Sequence, residues 1–332
     1  MQYFYALDFD KAREQGSVML DIYPNSVMGR SNYALYAMYS TDFETAVTEA
    51  AKVREMDAAY FKAWLPVAIK ALSDNDIEAA RQAYKNMQPA GIRGQLTGQI
   101  GLADAAMYAG EFDKARALFT EGIALAQDAG SSYFEATTRI GLSEALLRGG
   151  ADDAAVAASL LEALDTSGGL SRQVPAALMY VEIGDVQSAR LIEEALSKVL
   201  QPQSRAYATL INGVIALRDG DTVTAIDSIS AGIELADLWL LRFYRGIAYL
   251  GAGYGAEALD EFTACYERRG EASAVFLDDL PTYRYAATLP YWKGRAQQAI
   301  GMAHDARQSF MTFIAARPEG DALAEDARER MR

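Results

Sequence analysis

Apolar and small residues recur at helical spacing along the chain and are interrupted by short polar turns. Before one such turn, Leu102, Ala103 and Ala106 share a helix face, and after it Phe119 and Ile123 stand four residues apart. Spacings of three and four residues place side chains on one face of an α-helix. The pattern therefore predicts pairs of amphipathic helices that are joined by short turns.

Each predicted turn carries the same unit, in which a turn residue is followed five positions later by an alanine. The unit occurs nine times, with its alanine at Ala12, Ala46, Ala80, Ala115, Ala155, Ala189, Ala225, Ala258 and Ala306. Successive alanines are 34, 34, 35, 40, 34, 36, 33 and 48 residues apart. A period near 34 residues is typical of helical-repeat proteins, in which each hairpin packs against its neighbours.

The residue types within the unit suit a turn between two helices. Six of the nine turn residues are glycine and one is Asn75, and these are expected to end the first helix in the left-handed conformation. The other two turn residues are Leu7 and Thr41. The acidic residue that often follows can accept hydrogen bonds from free N–H groups of the second helix. The alanine is expected where two helices cross closely, because a larger side chain would separate them.

This arrangement resembles the tetratricopeptide repeat, and the resemblance covers nearly the whole chain. The family's small residue in the first helix is matched by Ala34, Ala68, Ala103, Ala177, Gly213, Gly246 and Gly294. Its bulky residue in the second helix is matched by Tyr84, Phe119, Ile229, Phe262 and Phe310. The resemblance implies an all-α fold, namely a right-handed α-solenoid of about nine hairpins with a C-terminal capping helix.

The repeats predict one solenoid over residues 1–332, with its loosest fit in the fifth hairpin. The hairpins are expected near residues 1–26, 27–59, 60–93, 94–130, 131–168, 169–203, 204–237, 238–270 and 283–318. An insertion at 268–283 accounts for the 48-residue spacing, and a charged cap follows at 319–332. Long connections are often functional, but an extended helix with a loop that closes part of the groove is equally compatible with the sequence.

The N-terminal residues favour one of two interpretations. Tyr3, Phe4 and Tyr5 resemble a helix face that lacks its neighbour, because only seven residues precede the first turn. Either the chain is a module of a longer protein or its first repeat is atypical. Tyr3 and Phe4 could also mediate self-association of two copies through this end.

The last third carries a second resemblance, to the C-terminal repeat regions of bacterial serine/threonine kinases and of winged-helix regulators. It rests on residues 241–250, 255–262, 268–271 and 289–296. The resemblance implies a sensor or docking module of a bacterial signalling protein. The glycine-rich loop and the catalytic and metal-binding aspartates of the kinases have no counterpart in this chain.

Composition argues against several other classes of function. The net charge of −14 repels phosphate backbones, so no nucleic-acid partner is expected. The single cysteine, Cys265, is expected to be buried, and the single histidine, His304, is expected on the surface, which leaves no basis for a disulfide or a histidine metal site. No apolar stretch is long enough for membrane insertion. We therefore expect a non-catalytic protein without cofactors, cytoplasmic unless a parent protein places it in the periplasm.

The first helices are expected to line a groove. Alignment of the hairpins places in it Asn32, Leu35, Tyr39, Ile69, Asp104, Tyr108, Tyr207, Arg218, Tyr244, Trp292 and Arg295. This surface is unusually apolar and aromatic, which is typical of a face that binds a peptide, a helix or another protein. Two alternatives remain: the groove closes on itself and these residues are core, or the chain senses a small ligand in a pocket near residues 276–292.

Overall fold

The structure, a computed structural model, describes residues 8–276, 278, 280–317 and 320–332, and within these ranges it is all-helical without any strand. The predicted all-α class is confirmed. The sequence features at Tyr3, Phe4, Tyr5, Leu7 and residues 318–319 lie outside the described residues. Two compact units are distinguished, one within Met1–Ala109 and Arg268–Ala286 and the other within Gly110–Glu267 and Ala287–Arg332. We call them unit 1 and unit 2. That all hairpins form one solenoid stays a prediction.

Unit 1 is a stack of antiparallel helices. Its α-helices are α1 (Phe9–Ile22), α2 (Val27–Tyr39), α3 (Phe43–Met56), α4 (Leu65–Ser73), α5 (Ile77–Met87) and α6 (Gly91–Tyr108). Three short 3₁₀ turns complete it, at Phe61–Trp64, Arg269–Ala274 and Tyr283–Ala286. Each helix packs against the next one along the chain.

Unit 2 continues the same pattern of helix pairs. Its helices are α7 (Phe112–Asp128), α8 (Ser132–Arg148), α9 (Asp153–Thr166), α10 (Leu170–Glu182), α11 (Val186–Ser197), α12 (Pro202–Arg218), α13 (Thr222–Leu235), α14 (Trp239–Gly251), α15 (Gly255–Glu267), α16 (Leu289–Ala299), α17 (Ala303–Ala315) and the cap α18 (Ala322–Arg330). The first helices of the hairpins are the even-numbered helices α2 to α16. In unit 2, α8, α10, α12, α14 and α16 also contact one another in that order, so the first helices form a continuous layer.

The turns between paired helices have the predicted conformation. The angle φ is +66° at Thr41 and +60° at Asn75, and it lies between +75° and +89° at Gly110, Gly150, Gly184, Gly220, Gly253 and Gly301. This left-handed region carries a steric cost for residues with a β-carbon, which explains the preference for glycine. The following aspartates cap the second helices by accepting a backbone N–H at 3.0–3.2 Å, as Asp42, Asp76, Asp185 and Asp221 do.

The prediction for the crossing alanine is wrong in the fifth hairpin. Ala155 is exposed, and the neighbouring Val156 is fully buried in its place. The cap of this helix is Asp152, two residues after Gly150, whereas the other hairpins with an aspartate cap have it one residue after the turn residue. The helix therefore starts one residue later, and its inward face moves by one position. The other eight crossing alanines are buried.

Small residues of first helices meet bulky residues of second helices, as the repeat predicts. A Cβ added to a glycine would lie only 2.5–2.8 Å from its partner's side chain in three pairs: Gly213 with Ile229, Gly246 with Phe262 and Gly294 with Phe310. A larger residue at these positions would have to displace the partner's side chain. Tyr84 and Phe119 pack in the same way, but against Gly101 and Gly141 of the following first helices.

The two single-copy residues lie where the sequence predicts. Cys265 is fully buried at the end of α15, where its carbonyl oxygen accepts a hydrogen bond from Trp239 Nε1 at 2.9 Å. His304 is exposed in the first turn of α17. A thiol that is completely buried is shielded from reagents, so Cys265 is a packing residue.

Candidate interaction faces

The predicted groove residues differ in exposure between the two units. In unit 1, five are at most 7% exposed and one is half-buried: Leu35, Tyr39, Ile69, Asp104 and Tyr108, and then Asn32. In unit 2, one is buried, three are half-buried and one is exposed: Tyr207, then Tyr244, Trp292 and Arg295, and then Arg218. The positions on first helices are therefore covered in one unit and more accessible in the other.

In unit 1 the inserted segment, which we define as Arg268–Ala286, takes part in this burial. Its turn Arg269–Ala274 packs against α2, and its turn Tyr283–Ala286 packs against α6. The apolar side chains of Val275, Phe276 and Leu280 are no more than 6% exposed. This arrangement matches the interpretation in which a connection closes part of the groove, although the connection forms 3₁₀ turns and not a longer helix.

The first turn of the inserted segment is anchored through Arg269 and Gly270. The Arg269 side chain donates from Nε to Ser73 Oγ at 2.9 Å, and its guanidinium lies 5.3 Å from the centre of the Phe43 ring. The Gly270 N–H donates to Thr41 Oγ1 at 2.9 Å. A Cβ at position 270 would lie 2.0 Å from the Met38 carbonyl oxygen, so only glycine allows this approach of the two backbones.

The second turn is anchored through Tyr283 and Arg284. Arg284 donates to the same oxygen of Asp104 from its backbone N–H at 3.3 Å and from its guanidinium at 3.0 Å. Both side chains of this ion pair are buried, at 8% and 0% exposure. The Tyr283 ring stacks on Tyr108 with 5.9 Å between ring centres and 23° between planes. Asp104 and Tyr108, predicted as groove residues, thus hold a segment of the chain itself.

Tyr84 lies close to this second anchor, and the pKa of its phenol depends on the charges there. Its ring is fully buried, and its hydroxyl has no hydrogen-bond partner among the described residues. Burial raises the pKa of the Tyr84 phenol well above its usual value, and the nearby charge of Asp104 and the Tyr283 phenol raise it further. The phenol is therefore neutral, and Arg284 supplies the positive charge that compensates Asp104.

In unit 2 a different cluster lies on the layer of first helices. Arg148 at the end of α8 forms a two-pronged ion pair with Glu182 at the end of α10, with one N–O distance of 2.9 Å. Both side chains keep more than 40% of their surface exposed. The Tyr244 phenol of α14 lies within electrostatic range of this pair and of Glu144. Three first helices thus contribute to one polar cluster.

Burial influences the pKa of two groups in the cluster, Tyr244 and Arg148. Burial is the largest influence on Tyr244 and raises the pKa of its phenol, and Glu182 raises it further. Burial lowers the pKa of Arg148, but attraction and hydrogen bonding to Glu182 outweigh this, so the net direction is upward. The Tyr244 phenol is therefore neutral and can donate a hydrogen bond.

Sequence reasoning found Tyr244 but missed Arg148 and Glu182. These two residues are 34 residues apart, which is one repeat, so they occupy equivalent positions of successive first helices. That spacing is the signal in the sequence. It is weak because Arg148 lies in the hairpin at 131–168, which fits the repeat pattern least well.

Two other predicted groove residues of unit 2, Trp292 and Arg295, are linked to the C-terminal cap α18. Trp292 packs against an apolar cluster that includes Phe313 and Ala324, and the Arg295 guanidinium lies 5.9 Å from the centre of the Trp292 ring. Arg295 also donates to the Tyr291 hydroxyl, which donates to Asp326 of α18 at 2.7 Å. Trp292 and Arg295 therefore link α16 to the cap as well as facing solvent.

A cleft on unit 2 was not anticipated from the sequence. It has a volume of about 360 Å³ and is lined by residues of α11, α12 and α13, among them Glu193, Arg205 and Asn212. Asn212 accepts a hydrogen bond from Arg190 at 2.6 Å and donates one to Ser228 at 3.0 Å. The cleft is lined by two second helices and the first helix between them, and none of its lining residues is one that the sequence placed in a groove.

Residues 276–292, where the sequence leaves a small-ligand pocket as an alternative, are densely packed in the part that the structure describes. The Phe276 ring meets the Tyr285 ring edge to face at 5.7 Å, and Leu280 and Tyr283 are buried. Across residues 8–276, 278, 280–317 and 320–332, no group of three or more His, Cys, Asp or Glu side chains could hold a metal ion. None of the helices described there is long and apolar enough to cross a membrane.

Comparisons with known proteins find similarity in solved structures alone. No family model and no curated protein matches the chain. A structure of the APC/C hetero-tetramer Cut9-Hcn1 aligns with 98% of this chain at 12% identity and a TM-score of 0.49, and this chain spans 59% of that one. A tetratricopeptide repeat protein from Parabacteroides merdae aligns with 82% of this chain and 97% of its own, at 16% identity and a TM-score of 0.43.

A third structure, the TPR2AB domain of yeast Sti1 in a complex with pHSP90, aligns with 82% of this chain and 98% of its own at 13% identity and a TM-score of 0.34. These similarities are remote, and they carry no information on partners. The chain's own hairpins, with left-handed turn residues, aspartate caps and eight buried crossing alanines, form an all-α helical-repeat fold that resembles the tetratricopeptide repeat.

Proposed function

We propose that the chain is a non-catalytic protein-interaction scaffold that binds a polypeptide on the first-helix layer of unit 2. The observation that carries the proposal is the cluster of Arg148, Glu182 and Tyr244, which combines partial desolvation with accessible charged groups. Groups of this kind on a continuous helix layer can recognise a side chain or a backbone amide with little reorganisation. Helical repeats use such layers as extended binding surfaces.

The charge of this surface favours a basic partner. Glu144 and Glu182 outnumber Arg148 within the cluster, and the whole chain has a net charge of −14. Complementary charge accelerates association and disfavours acidic competitors more than it adds affinity. A partner segment with lysine or arginine flanking an apolar anchor would therefore suit this site, bound as a peptide or as a helix.

The finer part of the proposal concerns the biological setting. The resemblance of residues 241–296 to repeat regions of bacterial kinases and winged-helix regulators supports a regulatory or docking module of a bacterial signalling protein, acting in the cytoplasm. A kinase or winged-helix domain encoded in the same reading frame would support this setting. A reading frame that encodes this chain alone would contradict it.

The experiment for the binding site uses fluorescence anisotropy with pairs of 15-residue peptides that share apolar residues and differ in whether they carry four lysines or four glutamates. We expect the basic peptide to bind at least tenfold more tightly than the acidic one. The double variant Glu182→Ala with Tyr244→Ala should lose at least tenfold in affinity for the basic peptide.

Matched controls are available on exposed surfaces of unit 2. Glu194 pairs with Lys198 in α11, and Tyr254 is an exposed tyrosine after α14. The variant Glu194→Ala with Tyr254→Ala removes the same two residue types without touching the cluster. Equal losses in the two double variants, or equal binding of the two peptides, would rule out this site.

A further inference from the structure

The inserted segment has the features of a bound polypeptide. Its described residues form two 3₁₀ turns and no α-helix, and it reaches other residues of unit 1 through two short anchors that are separated by twelve residues of chain, Arg269–Gly270 and Tyr283–Arg284. Each anchor uses an arginine, and each donates hydrogen bonds from a side chain and from a backbone N–H to side chains on or beside first helices. A peptide that docks on a helical-repeat surface makes contacts of this mixed kind.

The two anchors recognise particular residue types, and they do not bind apolar segments in general. The Asp104 carboxylate is completely buried and needs a cation, which Arg284 brings together with its own N–H group. Tyr108 offers a flat ring on which Tyr283 stacks. The surface around Asp104 and Tyr108 therefore recognises an aromatic residue that is followed directly by arginine.

The burial of Asp104 restricts what can replace the inserted segment. Removing one partner of a buried ion pair leaves an uncompensated charge, which is far less favourable than keeping both. Water or an apolar segment would not replace the buried ion pair that Arg284 forms with Asp104. A second polypeptide that also supplies an arginine would not, because the same hydrogen bonds could form again.

We propose that the inserted segment is an intramolecular occupant of a polypeptide-binding site on unit 1, and that a partner segment with an aromatic residue followed by arginine binds there when the occupant is displaced. The inference rests on the proposed function in taking a polypeptide as the ligand, but it concerns other residues in another unit. The segment thus acts as a built-in competitor that keeps the site closed.

Because the inserted segment belongs to the same chain as its site, it outcompetes a free peptide in the unchanged protein. A segment held by short connections has an effective concentration on the order of millimolar at its own site. A free peptide with the same contacts will therefore bind poorly at micromolar concentrations. Weakening the tethered anchors without changing the site should reverse this, since the free peptide then supplies the contacts that the tethered copy has lost.

The test uses a fluorescein-labelled peptide with the sequence of residues 268–286 and the complete chain. In the chain we substitute Arg269→Ala together with Arg284→Ala, which removes both arginine anchors and leaves Asp104 and Ser73 in place. We expect this variant to bind the peptide at least tenfold more tightly than the unchanged chain. The same peptide with its own Arg284→Ala substitution should lose at least tenfold in affinity.

The matched control is Arg205→Ala, which removes an exposed arginine of unit 2 and should leave peptide binding as weak as in the unchanged chain. Equal binding by the unchanged and doubly substituted chains would overturn the proposal. Failure of a folded double variant to bind, with helicity and melting retained, would overturn it as well. A dimer that exchanges the segment between copies would also overturn it, because the occupant would then be a second copy of this chain.

Hydrogen exchange on the unchanged chain keeps the proposal falsifiable if the double variant does not fold. The N–H groups of Gly270 and Arg284 donate to unit 1 residues. We expect both to exchange at least tenfold faster than the slowest amides of α2 and α6, because the segment can open without unfolding of the stack. Exchange of both amides at the rate of the slowest helix amides would make the segment a permanent core element and overturn the proposal.

These results separate the two proposals. The peptide assay here uses variants at Arg269 and Arg284, whereas the site in unit 2 is tested at Glu182 and Tyr244. Loss of binding to the lysine peptide with retained binding of the 268–286 peptide would affect the function proposed for unit 2 alone. The reverse result would affect the inference on unit 1 alone.

Discussion

The first-helix faces of the two units are built from the same repeat but are covered differently. In unit 1, Asp104 and Tyr108 hold the inserted segment and are almost inaccessible to solvent. In unit 2, Arg148 and Glu182 occupy equivalent positions of successive first helices and keep more than 40% of their side chains exposed. Repeat position alone therefore does not decide whether a residue is available to a partner. What matters is whether another part of the chain lies over it.

The largest expected effect of this difference is on stability. The buried pair Asp104–Arg284 should contribute far more to the free energy of unfolding than the exposed pair Arg148–Glu182. Asp104→Ala should destabilise unit 1 by about 3–5 kcal/mol, because a buried ion pair loses one of its two partners. Chemical denaturation followed by circular dichroism measures this. Asp113→Ala, which removes an exposed carboxylate of unit 2, is the control and should change stability by less than about 0.5 kcal/mol. A loss below about 1 kcal/mol for Asp104→Ala would mean that the pair is not tightly buried.

A second prediction concerns the close backbone approach at the first anchor. Gly270→Ala should destabilise unit 1 by about 1–3 kcal/mol, because the new Cβ would lie 2.0 Å from the Met38 carbonyl oxygen and the backbones must move apart. Differential scanning calorimetry on the purified variant measures the effect. Gly168→Ala is the matched control, since no atom lies within 4 Å of a Cβ there. A Gly270→Ala protein that melts like the control would show that the anchor is loose.

The exposed pair in unit 2 should behave in the opposite way to the buried one. Arg148→Ala is expected to cost only about 0–1 kcal/mol of stability, since a solvent-accessible ion pair contributes little. It should nevertheless change the binding of charged peptides, because Arg148 balances one of the two carboxylates near Tyr244. Denaturation and anisotropy on the same preparation separate the two effects. A loss of several kcal/mol would place this pair with the Asp104 pair as a structural element.

The smallest expected effect is the loss of stability of unit 1 at low pH that results from protonation of Glu49. Burial raises the pKa of Glu49, but hydrogen bonds from Lys52 and Arg30 outweigh it, so the pKa is lowered from the ordinary value of 4.5. A carboxylate with a lowered pKa in the folded state stabilises the fold above the unfolded pKa, and this contribution is lost as the pH falls below 4.5. Glu49→Gln should therefore show a weaker loss of stability between pH 4.5 and pH 3 in thermal melts. An unchanged pH profile would contradict this role.

The accuracy of the sequence-based predictions follows from how local each feature is. The left-handed conformation at Asn75 and Gly110 was predicted correctly because a turn conformation depends on a few neighbouring residues, whereas that at Thr41 was not predicted. The position of Ala155 was predicted incorrectly, since one extra residue before the Asp152 cap rotates the helix by a full position. A sequence pattern names the wrong buried residue when the start of a helix shifts by one position, because each residue turns a helix by about 100°.

The candidate sites depend on contacts between distant parts of the chain and were only partly predictable. Asp104 was correctly placed on a first helix, but its partner Arg284 is 180 residues away, and no local pattern connects them. Arg148 and Glu182 were missed although their separation of one repeat is visible in the sequence. Their significance becomes clear only when the ends of α8 and α10 are seen side by side.

The sequence by itself determined the helix pairs, the turns and the residues that cross closely, because periodicity, capping and left-handed conformations are set by neighbouring residues. The tertiary structure alone decided which face is covered. The inserted segment reaches its site through two arginines, a glycine and a tyrosine, and these act only because Asp104, Ser73, Thr41 and Tyr108 lie within reach. Such contacts depend on the stacking of whole helices, so the free energy that holds them is a property of the assembled unit.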